Sequence, residues 1–320
     1  MGDLARMSYQ VGSIHYRKDE NDLPKHHLRY TPTSPPKEID ILTIGDSFSN
    51  GGGVGRNAFY QDYLASSGSY IVLNIQNYSD SNTYVETINS LIENGWLEEV
   101  KPNAILIQTV ARRLATLYAR EQQWEVLSPP DFKQGMSQRA WRDEPPKPPL
   151  INTANYKLPY YTLLYHFKTS GQKNVVKLKL TQPMFTVKDS ATLLLYKEDI
   201  ANLHHFNEEN IAKINNNFNV LAEKLKKLKI SLIFMPAVDK YDLYFDFIAN
   251  NPFAPNPLFE LLEKAPKEYL FINTKRILHN ALQVGEKDIF YADDTHWSFK
   301  ASQLISDEIV QTLNKVEAHE

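Results

Sequence analysis

Ile39-Asp40-Ile41-Leu42-Thr43-Ile44-Gly45-Asp46-Ser47-Phe48-Ser49 decides how the chain is read. An apolar, β-branched run of strand length stops at a glycine, and a serine follows two residues later. In an α/β sheet a buried strand delivers side chains to its carboxyl edge, where a tight turn exposes them before a helix leaves. A hydroxyl at Ser47 therefore falls where ligands bind. Near the other end, Asp293-Asp294-Thr295-His296-Trp297 supplies what such a hydroxyl lacks. Serine is a poor nucleophile while protonated, so it needs a base, and the base needs a third group to hold its tautomer. Among nine histidines, His296 alone sits beside carboxylates in a turn-like segment just before a helix pattern. In extended backbone, residues i and i+2 project to the same side, which lets Asp294 meet His296 directly. The expectation is Ser47 as nucleophile, His296 as base and Asp294 as orienting acid, in a serine esterase or acyltransferase.

Outward from residues 39–45 the chain alternates strand and helix patterns. Further apolar strand runs fall at 71–75, 104–107, 230–235 and 269–272. Between them, Val85, Ile88, Leu91 and Ile92 mark one helix face, and Ile211, Ile214, Phe218, Leu221, Leu225 and Leu228 mark another. Asn207 is placed to cap that second helix, with Glu208 and Glu209 in its first turn. Ala301, Leu304, Ile305, Ile309 and Leu313 give a last one. This rhythm predicts a three-layer α/β/α, doubly wound parallel sheet of about five strands, flavodoxin-like in order. Residues 1–38 read as an extended lead-in, and residues 39–317 as the α/β domain. The rhythm breaks over 118–205, where Pro129-Pro130 and Pro145-Pro146-Lys147-Pro148-Pro149 bracket an aperiodic charged stretch. That region reads as an inserted lobe with some β structure, since residues 175–180 alternate at period two and residues 192–196 can pair with them.

Composition narrows the function. With 320 residues, a net charge of -3 and no long basic run, nucleic acid is excluded as a partner. The absence of cysteine excludes disulfides, thiol catalysis and thiolate metal sites. The glycines at 51–55 fit neither a P-loop nor G-x-G-x-x-G, and the pairs His26-His27 and His204-His205 lack metal-ligand spacing. No cofactor and no metal are expected. No apolar run approaches the roughly 18 residues that span a bilayer.

Gly45-Asp46-Ser47-Phe48 resembles the first signature block of the SGNH (GDSL-like) hydrolase superfamily, and Asp294-Thr295-His296-Trp297 its last. The pairing of these two motifs is similar to the SGNH-like proteins of alginate and related exopolysaccharide O-acetylation. The resemblance covers about 38–117 and 207–317. It implies a Ser-His-Asp triad moving acetyl groups on carbohydrate or other acyl-ester substrates outside the cytoplasm, with a membrane acyl-donor protein as a partner. It also frames the opening Met1-Gly2-Asp3-Leu4-Ala5-Arg6 as a start from which a signal or anchor has been removed; the alternative is a cytosolic protein that begins at Met1.

Three departures accompany the resemblance. In the alginate group the Asp-x-His block precedes the serine block, whereas here it follows, as in ordinary SGNH esterases. The glycine of the second block falls on Ser79, and the asparagine of the third on Arg112. Ser79 and Arg112 become the expected oxyanion and substrate contacts, Arg112 having a surface or salt-bridge role as its alternative. Trp297 either stacks on a sugar or locks the loop. Asp46 is expected to brace the turn. Many SGNH esterases use Asp-x-x-His, which selects Asp293 as the acid; the Asp-x-His reading selects Asp294 and is favoured. Val238-Asp239-Lys240-Tyr241 belongs to the same loop edge as Ser47, as a substrate contact or a structural ion pair.

Overall fold

The computed structural model of the chain describes residues 2–8, 15, 23–33, 38–52, 59–125, 129–137, 159–160, 163 and 174–317. Among the described residues, eight strands run in chain order: β1 (Leu28–Arg29), β2 (Ile41–Ile44), β3 (Val72–Ile75), β4 (Ala104–Val110), β5 (Val175–Lys179), β6 (Thr192–Tyr196), β7 (Ser231–Ala237) and β8 (Leu270–Phe271). Six of them form one sheet in the order β1-β3-β2-β4-β7-β8, and every pairing in it is parallel. Every residue of β2, β3 and β4 is buried, so both faces of the sheet are covered.

Two groups of helices do the covering. Tyr60–Ser67 packs on Phe299–Glu317, which packs on Thr274–Gln283; Tyr84–Glu93 and Leu258–Lys264 pack on Glu208–Lys227. The arrangement is consistent with a three-layer α/β/α fold. The Glu208–Lys227 helix is capped by Asn207, whose side chain accepts the Asn210 N–H at 3.0 Å. It buries Ile211, Ile214, Phe218, Leu221 and Leu225, the positions its three-and-four spacing selects.

Counting only the five strand runs legible in the sequence, the sheet order is second, first, third, fourth, fifth, the flavodoxin-like order. The chain leaves β2 toward β3 and returns to β4 on the other flank of β2. The connections after β2 and β4 leave to opposite faces of the sheet there, which is where such a fold opens a crevice.

Two features differ from an extended lead-in. Asp3–Ser8 is helical and buries Leu4, Ala5 and Ser8, and Leu28–Arg29 adds a parallel edge strand to β3. Within 118–205, β5 and β6 form an antiparallel ribbon with Val175 opposite Tyr196. Its Leu193 and Leu195, with Leu180, Met184 and Phe185 nearby, join the hydrophobic core of the main sheet. Most of the proline-bracketed charged stretch, and Gly53-Val54-Gly55, lie outside the described residues.

The Tyr84–Glu93 helix begins with a reciprocal cap. Glu86 N–H donates to Thr83 Oγ1 at 3.2 Å, and Thr83 N–H donates to the Glu86 carboxylate at 2.7 Å. Thr83→Ala should cost about 1 kcal/mol, read as a lower midpoint in urea unfolding at unchanged slope.

Candidate active site

Ser47 is exposed at the end of β2 while Gly45, Phe48 and Ser49 around it are buried. The turn that presents it is tightly determined. Ser49 and Asn50 donate backbone N–H bonds to the Asp46 carbonyl at 3.0 and 3.1 Å, and Gly52 donates to the Ser47 carbonyl at 2.6 Å. Asp46 braces the turn, as its sequence position suggests: one carboxylate oxygen accepts the Phe48 N–H at 3.1 Å and the other the Val110 N–H at 2.6 Å. A Cβ on Gly45 would fall 2.5 Å from Gln108 Oε1, so only glycine lets β2 and β4 approach so closely here.

His296 stands over Ser47. Its Nε2 lies 2.7 Å from Ser47 Oγ and its Nδ1 2.7 Å from Asp294 Oδ1. An ionised carboxylate only accepts, so the proton belongs on Nδ1, and Nε2 is left to accept the serine hydroxyl. Asp294 Oδ1 also accepts the His296 backbone N–H at 3.1 Å, which fixes the carboxylate from its own loop. The side chains of His296 and Asp294 are only 12% and 6% exposed, so their interaction is little screened by water. Phe48 packs against both the His296 ring and Trp297, with centroids 4.8 and 4.5 Å away. A Cβ on Gly52 would meet His296 Nε2 at 2.4 Å, so this glycine leaves the imidazole its room.

Asp294, not Asp293, meets His296. Asp293 is fully buried and its Oδ2 accepts the Gly2 N–H at 2.6 Å. The N-terminal helix contributes more to this loop than the sequence suggests. The Asp3 N–H points to Asp294 Oδ2 at 3.3 Å, and the Asp3 carboxylate accepts the Thr295 N–H at 2.8 Å and its hydroxyl at 2.5 Å. Burial, then the Asp294 charge, holds the Asp3 carboxyl above its ordinary pKa. Asp3, Asp294 and His296 are also a group among the described residues whose ligand atoms could gather on a metal, lying within 4.8 Å of one another. Those atoms are already committed to the Asp294–His296 and Asp3–Thr295 bonds.

A polar cavity of about 430 Å³ opens on Ser47, walled by Asn50, Gln76, Asn77, Asn82, Tyr84 and Arg113. The remaining expected contacts are not on it. Arg112 Nη1 is held 2.8 Å from Asp239 and 3.3 Å from Asp199, both buried, so it is the structural ion pair of its two alternatives rather than an oxyanion donor. Burial raises both carboxyls, Asp199 to about 6, because two acids share one guanidinium in a dry site. The next residue, Arg113, is exposed and lines the cavity instead. Ser79 does not line it, its hydroxyl pairing with Ser81 at 2.7 Å. Trp297 is 2% exposed and bridges to Phe290, so it locks the loop and offers no face to a sugar. A larger groove of about 680 Å³ between Phe245, Phe259 and Arg276 shares no lining residue with the Ser47 cavity and presents no nucleophile–base pair.

A scan against protein-family models finds no match, and a search of curated proteins finds none that is significant.

Two comparisons test the site. Asp294→Ala should lose far more ester turnover than Asp293→Ala, measured as kcat on one acetyl ester; the reverse order overturns the assignment of the acid. Arg112→Ala should unfold more easily by about 3–5 kcal/mol, since it leaves two buried carboxylates unpaired. Arg113→Ala should stay within about 0.5 kcal/mol of the parent in urea unfolding and act on turnover instead.

Proposed function

We propose that the protein is a serine acyl-transfer enzyme of SGNH type, acting as a carbohydrate O-acetyltransferase or O-acetylesterase. The observation that carries this reading is the unbroken hydrogen-bonded line from Ser47 Oγ through His296 to Asp294. The Gly45-Asp46-Ser47-Phe48 and Asp294-Thr295-His296-Trp297 blocks support the SGNH assignment. The amide- and hydroxyl-rich wall of the cavity suits a polar, hydroxyl-bearing substrate.

The chemistry follows from the tautomer. His296 Nε2 takes the Ser47 proton as Oγ bonds to the acyl carbon, and Asp294 stabilises the imidazolium that forms. The imidazolium then protonates the departing oxygen, releasing an alcohol and leaving Ser47 acylated. Water or a sugar hydroxyl next gives its proton to Nε2 while its oxygen takes the acyl group. Ser47 leaves with that proton restored. Donors to the transient oxyanion come from the Ser47 backbone N–H and the cavity wall, where Arg113 supplies positive charge; one such donor is worth about 3–4 kcal/mol in comparable enzymes.

On this reading the acyl group comes from a membrane acyl-donor partner, and the protein works outside the cytoplasm. No helix among the described residues is long and apolar enough to cross a membrane. A second reading is a carbohydrate-binding or assembly protein that keeps the fold without turnover. It is favoured by Ser79 and Arg112 standing where the family places its oxyanion donors, with Arg112 locked in its ion pairs.

Incubation with a chromogenic acetyl ester separates the two. Release of chromophore by the parent and not by Ser47→Ala supports acyl transfer, and no release by either favours the binding protein. With an oligosaccharide present, mass spectrometry that finds acetyl on the sugar assigns a transferase. Acetate alone assigns an esterase.

A further inference from the structure

Lys240 opens the short Lys240–Tyr244 helix after β7 and is 1% exposed. Its Nζ donates to the carbonyls of Tyr291, Ala292 and Asp294 at 2.7, 3.1 and 3.0 Å. An ammonium has three N–H donors, and all three are spent on the loop that ends at His296. The Phe185 ring lies 5.4 Å away and closes the pocket. The charges that face Nζ are Asp293 and Asp294 on the loop, Asp3 from the N-terminal helix and Asp199 from the Glu198–Ala201 helix.

A buried cation is a costly way to fasten a loop, since an apolar residue of similar size is often neutral or stabilising in its place. Burial pulls the Lys240 pKa from 10.5 to about 8, against the four carboxylates that raise it. The sign follows. Between about 8 and 10.5 the unfolded chain holds a proton that the folded one has released, so stability rises with pH across that window. The charge thus costs stability at neutral pH. What it gives in return is geometric: three fixed carbonyls set the peptide planes after Tyr291, Ala292 and Asp294, and hence the run of backbone that carries the Asp294 side chain.

We infer that Lys240 is a positioning residue for the acid of the triad, its ammonium holding the Tyr291, Ala292 and Asp294 carbonyls so that Asp294 meets His296 Nδ1. The inference rests on the triad reading above. The test uses the full chain with Lys240→Met and Lys240→Gln. The far-downfield imidazole N–H resonance of His296, read by proton NMR without substrate, should be present in the parent and lost in both folded variants. On an acetyl ester, kcat should drop about 10²-fold with KM unchanged, the usual penalty for a misplaced catalytic group. The chain has no cysteine, so Lys240→Cys can be aminoethylated selectively in denaturant and refolded. That product should recover the resonance.

A folded Lys240→Met with the parent's resonance, or a parent without one, overturns the inference. So does failure of both variants to fold, which would make Lys240 a structural residue only. A resonance that responds as expected in a protein without ester turnover upholds the positioning role while defeating the acyl-transfer reading.

Discussion

One carboxylate, that of Asp46, ties the Ser47 turn to the neighbouring strand, and the rest of the site depends on that tie. Its two oxygens accept N–H groups from Phe48 on one side and Val110 on the other. Gln108 adds a second link, its Oε1 accepting the Asp46 N–H at 3.2 Å and the Ser49 hydroxyl at 2.9 Å. These bonds join the carboxyl ends of β2 and β4, where the parallel sheet reverses its winding and cannot fill its own edge. Ser47 is exposed because everything around it is held. The crevice arises from topology, and the buried polar side chains give it a fixed shape.

Across the crevice a second set of bonds holds His296. Lys240 from beneath, and Gly2 and Asp3 at the start of the N-terminal segment, grip the residues from Tyr291 to Thr295, so His296 needs little support of its own. Several of these groups are buried charges, and Arg112, Asp199 and Asp239 form another such cluster nearby. Buried ion pairs contribute little net stability. A sheet this apolar does not need them to fold. Their common effect is to fix backbone near Ser47 and His296, which is the rigidity that a nucleophile–base pair requires.

The fold was legible because its signals are local. The apolar runs of β2, β3, β4 and β7 and the spacing of the Glu208–Lys227 helix need only a few residues each to be read. Ser47, Asp294 and His296 were legible for a similar reason: Asp294 and His296 lie two apart, and a strand-turn-serine motif is short. The contacts that escaped are those between distant segments. Asp3 lies 292 positions from Thr295 and Lys240 52 positions from Ala292. No pattern in the sequence announces such pairs. Arg112 and Arg113 show the limit differently. Both are arginines at the end of β4, and a single step along the 3-10 turn Ala111–Arg113 decides which pairs with buried acids and which lines the cavity. Residue type alone does not resolve that step. Trp297 is similar, since a wall and a sugar platform use the same side chain and only burial distinguishes them.

On the proposal above, Ser47 is a nucleophile activated by His296. This activation is tested most directly by treating the protein with a serine-directed fluorophosphonate, then measuring intact mass and mapping the modified peptide. One adduct, on Ser47, is expected, with labelling strongly slowed in His296→Ala. No adduct, or one on another hydroxyl that His296→Ala leaves unchanged, would contradict it.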